Sequence, residues 1–130
     1  MISFQGNSFR EYARKKNMHE LKIAEDLSAI VFETAVNNHL SKVTKVNIIF
    51  GQMIQIVPDI FEFAFREIAR NSIAESAELN IEIVPVEMRC KNCGSIFFVT
   101  ENRFKCSTCS LTDLDIIHGK ELFIKSIEGE

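Results

Sequence analysis

Residues 90–109, CKNCGSIFFVTENRFKCSTC, contain all four cysteines of the chain, in two pairs that are each separated by two residues. A two-residue spacer folds the backbone into a tight turn that places both sulfurs on one side of a metal ion. Two such turns, brought together by a hairpin, supply the four thiolates of a closed tetrahedral zinc site. The pattern therefore predicts a zinc ribbon whose single structural ion is held by Cys90, Cys93, Cys106 and Cys109. The spacing leaves a redox dithiol pair and an iron–sulfur site open as alternatives.

The residue that follows each cysteine pair differs between the two turns. Gly94 follows the first pair, where the backbone often needs a positive φ, and Ser110 occupies the matching place in the second. The second turn is therefore expected to be slightly less regular than the first. Phe97, Phe98 and Phe104 are predicted to pack the ribbon, because so small a segment offers little other core.

The segments outside the ribbon alternate between helical and strand periodicity. A helix is predicted from Met18 to about Asn37, with an inner face of Leu21, Ala24, Leu27, Val31 and Ala35. A second helix begins at Pro58, and its core positions are expected to include Phe61, Phe63, Ala64, Phe65 and Ile68. Alternating residues predict strands at 45–50, 79–84 and 122–127, and a further short strand at Ile54–Val57.

The last strand is expected to return to the first sheet, so that the ribbon interrupts a larger domain. The predicted fold class is α+β: a small mixed helix/sheet domain formed by residues 18–87 plus 118–130, with a zinc-ribbon domain, residues 88–117, inserted into it. Residues 1–17 are basic and differ in composition from the rest. We expect them to be a flexible tail or an untranslated upstream stretch.

Charge and composition exclude several classes of function. The net charge is −3, so the chain as a whole does not attract a phosphate backbone, and nucleic acid is not expected as the main partner. No apolar stretch approaches the roughly 20 residues of a membrane-spanning helix. Two tight cysteine pairs without a secretory signal predict a protein of the reducing cytoplasm.

Short motifs along the chain carry a resemblance to a known family. In order they are MHEL at 18–21, FG at 50–51, VPDIF at 57–61, VPV at 84–86 and GKEL at 119–122. Together with the cysteine pairs, this order resembles the HypA/HybF family of nickel-insertion proteins. No single motif is decisive, but their order is specific and extends over residues 18–130.

The resemblance implies a nickel metallochaperone rather than an enzyme. Such a protein binds Ni(II) transiently and helps to load it into NiFe-hydrogenase, with a HypB-type GTPase, the hydrogenase large subunit and, in some cases, urease maturation proteins as partners. It implies nickel ligands at Met18, His19 and Glu20: the terminal amine, the amide and imidazole of His19, and the amide of Glu20. Nickel(II) accepts such a square-planar set of nitrogens. His39 and His118 are expected to be surface residues, and a homodimer stays open.

The position of the methionine departs from the family pattern. Family members begin at this methionine, whereas here it is residue 18 and its nitrogen belongs to a peptide bond. The start can be assigned too far upstream, the extension can be removed, or this branch can have lost the nickel site. We favour the first explanation, but the sequence does not choose among them.

Two other classes of function compete with a metallochaperone. A zinc-ribbon interaction or nucleic-acid-binding module without labile nickel would use the positive charge of Lys91, Arg103 and Lys105, but the ribbon lacks a dense basic and aromatic face. An enzyme is not supported, because the sequence has no phosphate-binding loop, no nucleophile with a matching base and no open metal site among the cysteines.

Overall fold

The computed structural model describes residues 18–101 and 103–130, with side chains from Glu20 onward. Helical and strand segments follow one another in a mixed order: α1 (Met18–Asn37), β1 (Val43–Gly51), a 3₁₀ turn (Gln52–Ile54), α2 (Pro58–Ala69), β2 (Glu78–Val84), β3 (Glu87–Cys90), β4 (Ile96–Phe98), β5 (Leu114–His118) and β6 (Leu122–Gly129). The predicted α+β class is confirmed. The predicted tail, residues 1–17, lies outside the described residues.

The backbone groups into two units. The first contains residues 18–48, 56–81 and 123–130, and the second contains residues 49–55 and 82–122. The chain therefore enters the second unit twice, once briefly at the end of β1 and once for the whole cysteine segment. The assignment of nickel and zinc functions to separate domains remains a prediction.

The core of the first unit forms where helical periodicity predicts it. All five inner-face residues of α1 are buried, and the helix packs against α2. From α2 the buried residues are Phe61, Ala64, Phe65, Ile68 and Ala69. The rings of Phe61 and Phe65 pack with their centroids 6.2 Å apart. Asp59 lies in the first turn of α2, where a negatively charged side chain interacts favourably with the helix dipole.

Strand β1 is the centre of the first sheet, whose order is β2-β1-β6. Its central position explains why Val43, Val46 and Ile48 are completely buried. The return of the last strand to this sheet is thereby confirmed. Neither helix of the described chain is long and apolar enough to cross a membrane.

Two local predictions are wrong. Residues 54–57 form no strand: a 3₁₀ turn occupies Gln52–Ile54, and Gln55 has a left-handed backbone (φ 57°) whose N–H donates to the Gln52 carbonyl. Phe63 is 53% exposed rather than buried. Residues advance by about 100° around a helix, so Phe63 lies far from the face shared by Phe61 and Phe65.

Candidate metal centre

Strand β3 is the centre of the second sheet, whose order is β4-β3-β5, and it carries the first cysteine at its end. It pairs antiparallel with β4, with Met88 opposite Phe97, and antiparallel with β5, with Cys90 opposite Leu114. The first cysteine pair occupies the β3–β4 turn, and the second lies in the β4–β5 connection. The sheet therefore provides a fixed base for both turns.

The two cysteine turns share one hydrogen-bond pattern. In the first, the N–H of Cys90 donates to the Ser95 carbonyl (2.9 Å) and the N–H of Gly94 donates to the Cys90 carbonyl (2.9 Å). In the second turn, sixteen residues later, the N–H of Cys106 donates to the Leu111 carbonyl (2.8 Å) and the N–H of Ser110 donates to the Cys106 carbonyl (2.9 Å).

The positive φ expected after each cysteine pair is present in both turns. It is 79° at Gly94 and 65° at Ser110. The second turn therefore keeps the geometry of the first, although Ser110 adopts a conformation that costs a non-glycine residue about 1–2 kcal/mol.

The four sulfurs converge on one point. All lie within 4.8 Å of one another, with 3.6 Å between those of Cys90 and Cys109 and 3.5 Å between those of Cys93 and Cys106. These distances exclude disulfides in this structure, whose S–S bond would be about 2 Å. A tetrahedron with zinc–sulfur bonds of about 2.3 Å has edges of about 3.8 Å, so the donor set fits zinc. Among the described residues, no other group of three or more potential ligands meets so closely.

Hydrogen-bond donors surround the sulfurs and differ from one cysteine to the next. The N–H groups of Thr108 and Cys109 donate to Cys106 Sγ (3.3 and 3.4 Å), and the amide of Asn92 donates to Cys109 Sγ (3.8 Å). Ser95 Oγ lies 3.2 Å from Cys93 Sγ and 3.2 Å from Thr108 Oγ1, so these two hydroxyls join the turns. Such outer contacts orient metal ligands and stabilise thiolates.

These contacts give the thiols of the cluster different pKa values. The Cys109 N–H lowers the pKa of Cys106 to about 6, against the effect of burial. At Cys109 the Leu111 N–H lowers the pKa, but burial and the Cys90 and Cys106 sulfurs outweigh it and raise the pKa to about 11. The cluster thus offers a thiolate to an incoming cation near neutral pH, and completion of the site releases protons.

The prediction that the phenylalanines pack the ribbon is largely wrong. Phe98 is 59% exposed and Phe104 is 40% exposed, whereas Phe97 is half-buried. Cys90 and Cys106 are instead buried, each with only 1% of its surface exposed. The centre of this segment is therefore made of sulfur rather than of aromatic rings, which is the expected arrangement where a metal replaces an apolar core.

The basic residues of the ribbon do not form a free positive face. Lys91 Nζ lies 3.6 Å from Asp113 and 3.5 Å from Asp115, and Arg103 lies 3.2 Å from Glu101. Carboxylates thus neutralise two of the three cations on which nucleic-acid binding would depend.

The predicted nickel residues lie at the beginning of the described chain. Met18, His19 and Glu20 are the first three residues of α1, and the side chains of Met18 and His19 lie outside what the structure describes. The side chain of Glu20 is completely buried, and its Oε2 accepts a hydrogen bond from the Val57 N–H at 2.9 Å. His39 and His118 are exposed, as predicted.

Sequence periodicity missed a contact that holds the second unit together. The N–H of Gly51 donates to the Glu121 carbonyl (2.6 Å), and the N–H of Met53 donates to the Gly119 carbonyl (2.8 Å). The Glu121 carboxylate accepts from the Gly119 N–H (2.7 Å) and lies 3.0 Å from His118 Nδ1. In the sequence, only the FG and GKEL motifs drew attention to these residues, as markers of the family and not as evidence of this contact.

Comparison with known proteins gives a consistent result along almost the whole described chain. A family model described as "Hydrogenase/urease nickel incorporation, metallochaperone, hypA" matches residues 18–129. Hydrogenase maturation factor HypA of Desulfitobacterium hafniense is 34% identical over 113 residues, which are 87% of this chain and 99% of that protein. HypA of Aquifex aeolicus is 33% identical over 113 residues, which are 98% of its length. Each of these two relatives therefore has only a few residues outside the matched stretch.

Two solved structures resemble the fold described above. One is the solution structure of the Ni metallochaperone HypA from Helicobacter pylori, with a TM-score of 0.61, 26% identity and coverage of 85% of this chain and 96% of that one. The other is titled "Solution structure of HypA protein", with a TM-score of 0.65, 27% identity and coverage of 88% and 98%.

Proposed function

Because this chain belongs to the HypA family of hydrogenase/urease nickel-incorporation metallochaperones, we propose that it binds Ni(II) and helps to insert it into NiFe-hydrogenase during maturation. The observation that carries the proposal is the family match over residues 18–129, which begins at the motif with nickel-ligand chemistry. Nickel is the cargo of this protein, and its chemistry is binding and release rather than catalysis.

The proposed nickel site is a chelate formed by the first three residues of α1. The amine of Met18, the amide and imidazole nitrogens of His19 and the amide of Glu20 together satisfy the square-planar preference of Ni(II). The amine and imidazole must be unprotonated, so affinity falls as pH falls. The amine exists only in a chain that begins at Met18, because the nitrogen of Met18 is otherwise bonded to Asn17. The nickel-binding form is therefore the chain 18–130.

The second metal of the proposal is a structural zinc ion held by Cys90, Cys93, Cys106 and Cys109. The support is the convergence of the four sulfurs and the hydrogen-bond pattern repeated in both turns. Four protein thiolates leave no open position, so zinc supplies folding free energy to this segment and activates no water.

The proposed partners follow from the nickel cargo, and the proposed compartment follows from the four free thiols. A HypB-type GTPase and the hydrogenase large subunit, or urease maturation proteins, are the partners for nickel that must pass between proteins. The cytoplasm keeps the four thiols reduced and available to zinc.

A nickel titration of the zinc-loaded protein tests the proposal. Chain 18–130, its His19→Ala variant and the full chain 1–130 are titrated with Ni(II) against a chromophoric chelator. Chain 18–130 should bind one nickel ion, and both of the others should bind at least about tenfold more weakly, a difference of about 1.4 kcal/mol. His39→Ala is the matched control, since His39 is exposed and lies outside the chelate.

Equal nickel affinity of chain 18–130 and its His19→Ala variant would contradict the assignment of the nickel site. Salt-dependent binding of RNA or DNA by the same preparations would favour the nucleic-acid function instead.

A further inference from the structure

The side chain of Glu20, the third residue of the proposed chelate, is buried. Its exposed fraction is 0%, and its Oε2 accepts a hydrogen bond of 2.9 Å from the Val57 N–H. Both groups belong to the first unit, although 37 residues separate them in sequence. The carboxylate of α1 thus reaches the residue immediately before α2.

Val57 is the N-cap of α2, and its own N–H is one of the helix-terminal N–H groups that have no acceptor within the helix. It has an extended backbone (φ −98°, ψ 109°), and its own side chain makes no capping hydrogen bond. Glu20 supplies an oxygen to this N–H from another helix. The cap therefore ties two helices together, which a serine at position 57 could not do.

Burying a carboxyl group to cap a helix is unfavourable unless its polar atoms are hydrogen-bonded. Serine or aspartate at the exposed position of Val57 would cap α2 locally, through the N–H of Asp59 or Ile60, without burying a carboxyl group. The tie between α1 and α2 is the feature that such a local cap lacks. Its effect is to fix the backbone of Glu20, the third residue of the proposed chelate.

We infer that Glu20 is a positioning residue of the nickel site: its carboxylate anchors the chain behind Met18 and His19 and is not itself a nickel ligand. The inference rests on the proposed nickel function. A chelate made of successive backbone nitrogens requires an ordered backbone, and ordering it costs conformational entropy. With Glu20 anchored to Val57, one end of the chelating segment is already ordered before nickel binds.

The test uses chain 18–130, which contains every element described here and matches relatives over nearly their whole length. Variants are Glu20→Gln, which keeps an acceptor oxygen, and Glu20→Ala, which removes it. Glu25→Gln and Glu25→Ala are matched controls at an exposed position of the same helix. Nickel affinity, the visible spectrum of the nickel complex and thermal unfolding are measured for each.

Glu20→Ala should weaken nickel binding by at least about tenfold, and Glu20→Gln should regain most of the loss. The spectrum of each saturated complex should match that of the parent, because the nitrogen ligands are unchanged. The Glu25 variants should bind like the parent. Parent-like affinity of Glu20→Ala would overturn the inference, and so would a changed spectrum in Glu20→Gln, since it would make the carboxylate a ligand.

A double variant separates positioning from plain stabilisation. Val57→Ser in the Glu20→Ala background gives α2 a new local cap, in which the serine hydroxyl accepts from the N–H of Asp59 or Ile60, without restoring the tie to α1. We expect the double variant to recover thermal stability but not nickel affinity. Recovery of both would contradict the positioning role. If Glu20→Ala does not fold, Glu20→Gln and the double variant decide. If the parent chain itself fails to bind nickel, the proposed function fails, whereas parent binding with an unaffected Glu20→Ala removes only the positioning role.

Discussion

Replacement of Gly51 by alanine should disrupt the second unit severely. A Cβ at this position would lie 2.0 Å from the Gly119 oxygen and 2.1 Å from its carbonyl carbon. Real Cβ contacts essentially never fall under 3.0 Å, so the two backbones would have to separate by at least 1 Å. Because the obstacle is backbone rather than a flexible side chain, no rotamer change relieves it.

The separation removes hydrogen bonds as well as packing. The Gly51–Glu121 and Met53–Gly119 bonds span the contact, and each contributes about 1 kcal/mol. Overpacking adds about 1–3 kcal/mol, so Gly51→Ala should lower the free energy of unfolding by about 3–5 kcal/mol. With a urea dependence of about 1 kcal/mol per molar, the unfolding midpoint should fall by about 3 M or more.

The assay follows urea unfolding of the zinc-loaded protein by release of zinc to a dye. Gly94→Ala is the matched control, because Gly94 has a φ of +79° but nothing within 4 Å of a built Cβ. Its cost is therefore only that of the left-handed backbone, about 1–2 kcal/mol. Midpoints of the two variants within about 0.5 M of each other would refute the steric reasoning.

Two further predictions concern zinc and pH. Removal of zinc by a chelator should abolish hydrogen-exchange protection in β3, β4 and β5 but leave that of α1 and α2, and unchanged protection in the strands would contradict a structural role for the metal. Glu121 is the predicted acid-sensitive group: burial raises its pKa, but its own N–H, the Gly119 N–H and His118 outweigh burial and lower the pKa below 4.5. A lowered folded-state pKa gives stability that is present above 4.5 and is lost as pH falls through the folded value. The urea midpoint should therefore drop less in Glu121→Gln than in the parent as pH falls below about 4.5, and an equal drop would argue against this linkage.

Periodicity was sufficient for the parts of the fold that depend on neighbours in sequence. Leu21 to Ala35 in α1 and Phe61 to Ile68 in α2 repeat at helical spacing, and their predicted inner faces are buried. The cysteine spacing likewise predicted the convergence of four sulfurs, because each pair is brought together by its own short turn. Even the positive φ at Gly94 followed from the residue type.

Features that depend on distant partners could not be predicted in this way. In place of the strand expected at Ile54–Val57 the chain has a 3₁₀ turn at Gln52–Ile54 and a left-handed Gln55, and the Met53 N–H within that turn bonds to Gly119, 66 residues away in sequence. Helical spacing places Glu20 on the inner face with Ala24 and Leu27, but its hydrogen-bond partner Val57, 37 residues away, could not be predicted from the sequence. The ribbon phenylalanines were assigned to a core that the clustered sulfurs occupy instead.

The nickel content of NiFe-hydrogenase purified from cells of the source organism tests the central claim most directly. The gene is deleted and then restored, with its native upstream sequence, either unchanged or with His19→Ala, and the cells are grown at limiting nickel. We predict that the unchanged gene restores nickel to the enzyme, whereas His19→Ala leaves most of it without nickel. Hydrogenase with a full complement of nickel in the His19→Ala cells would contradict nickel delivery through this site.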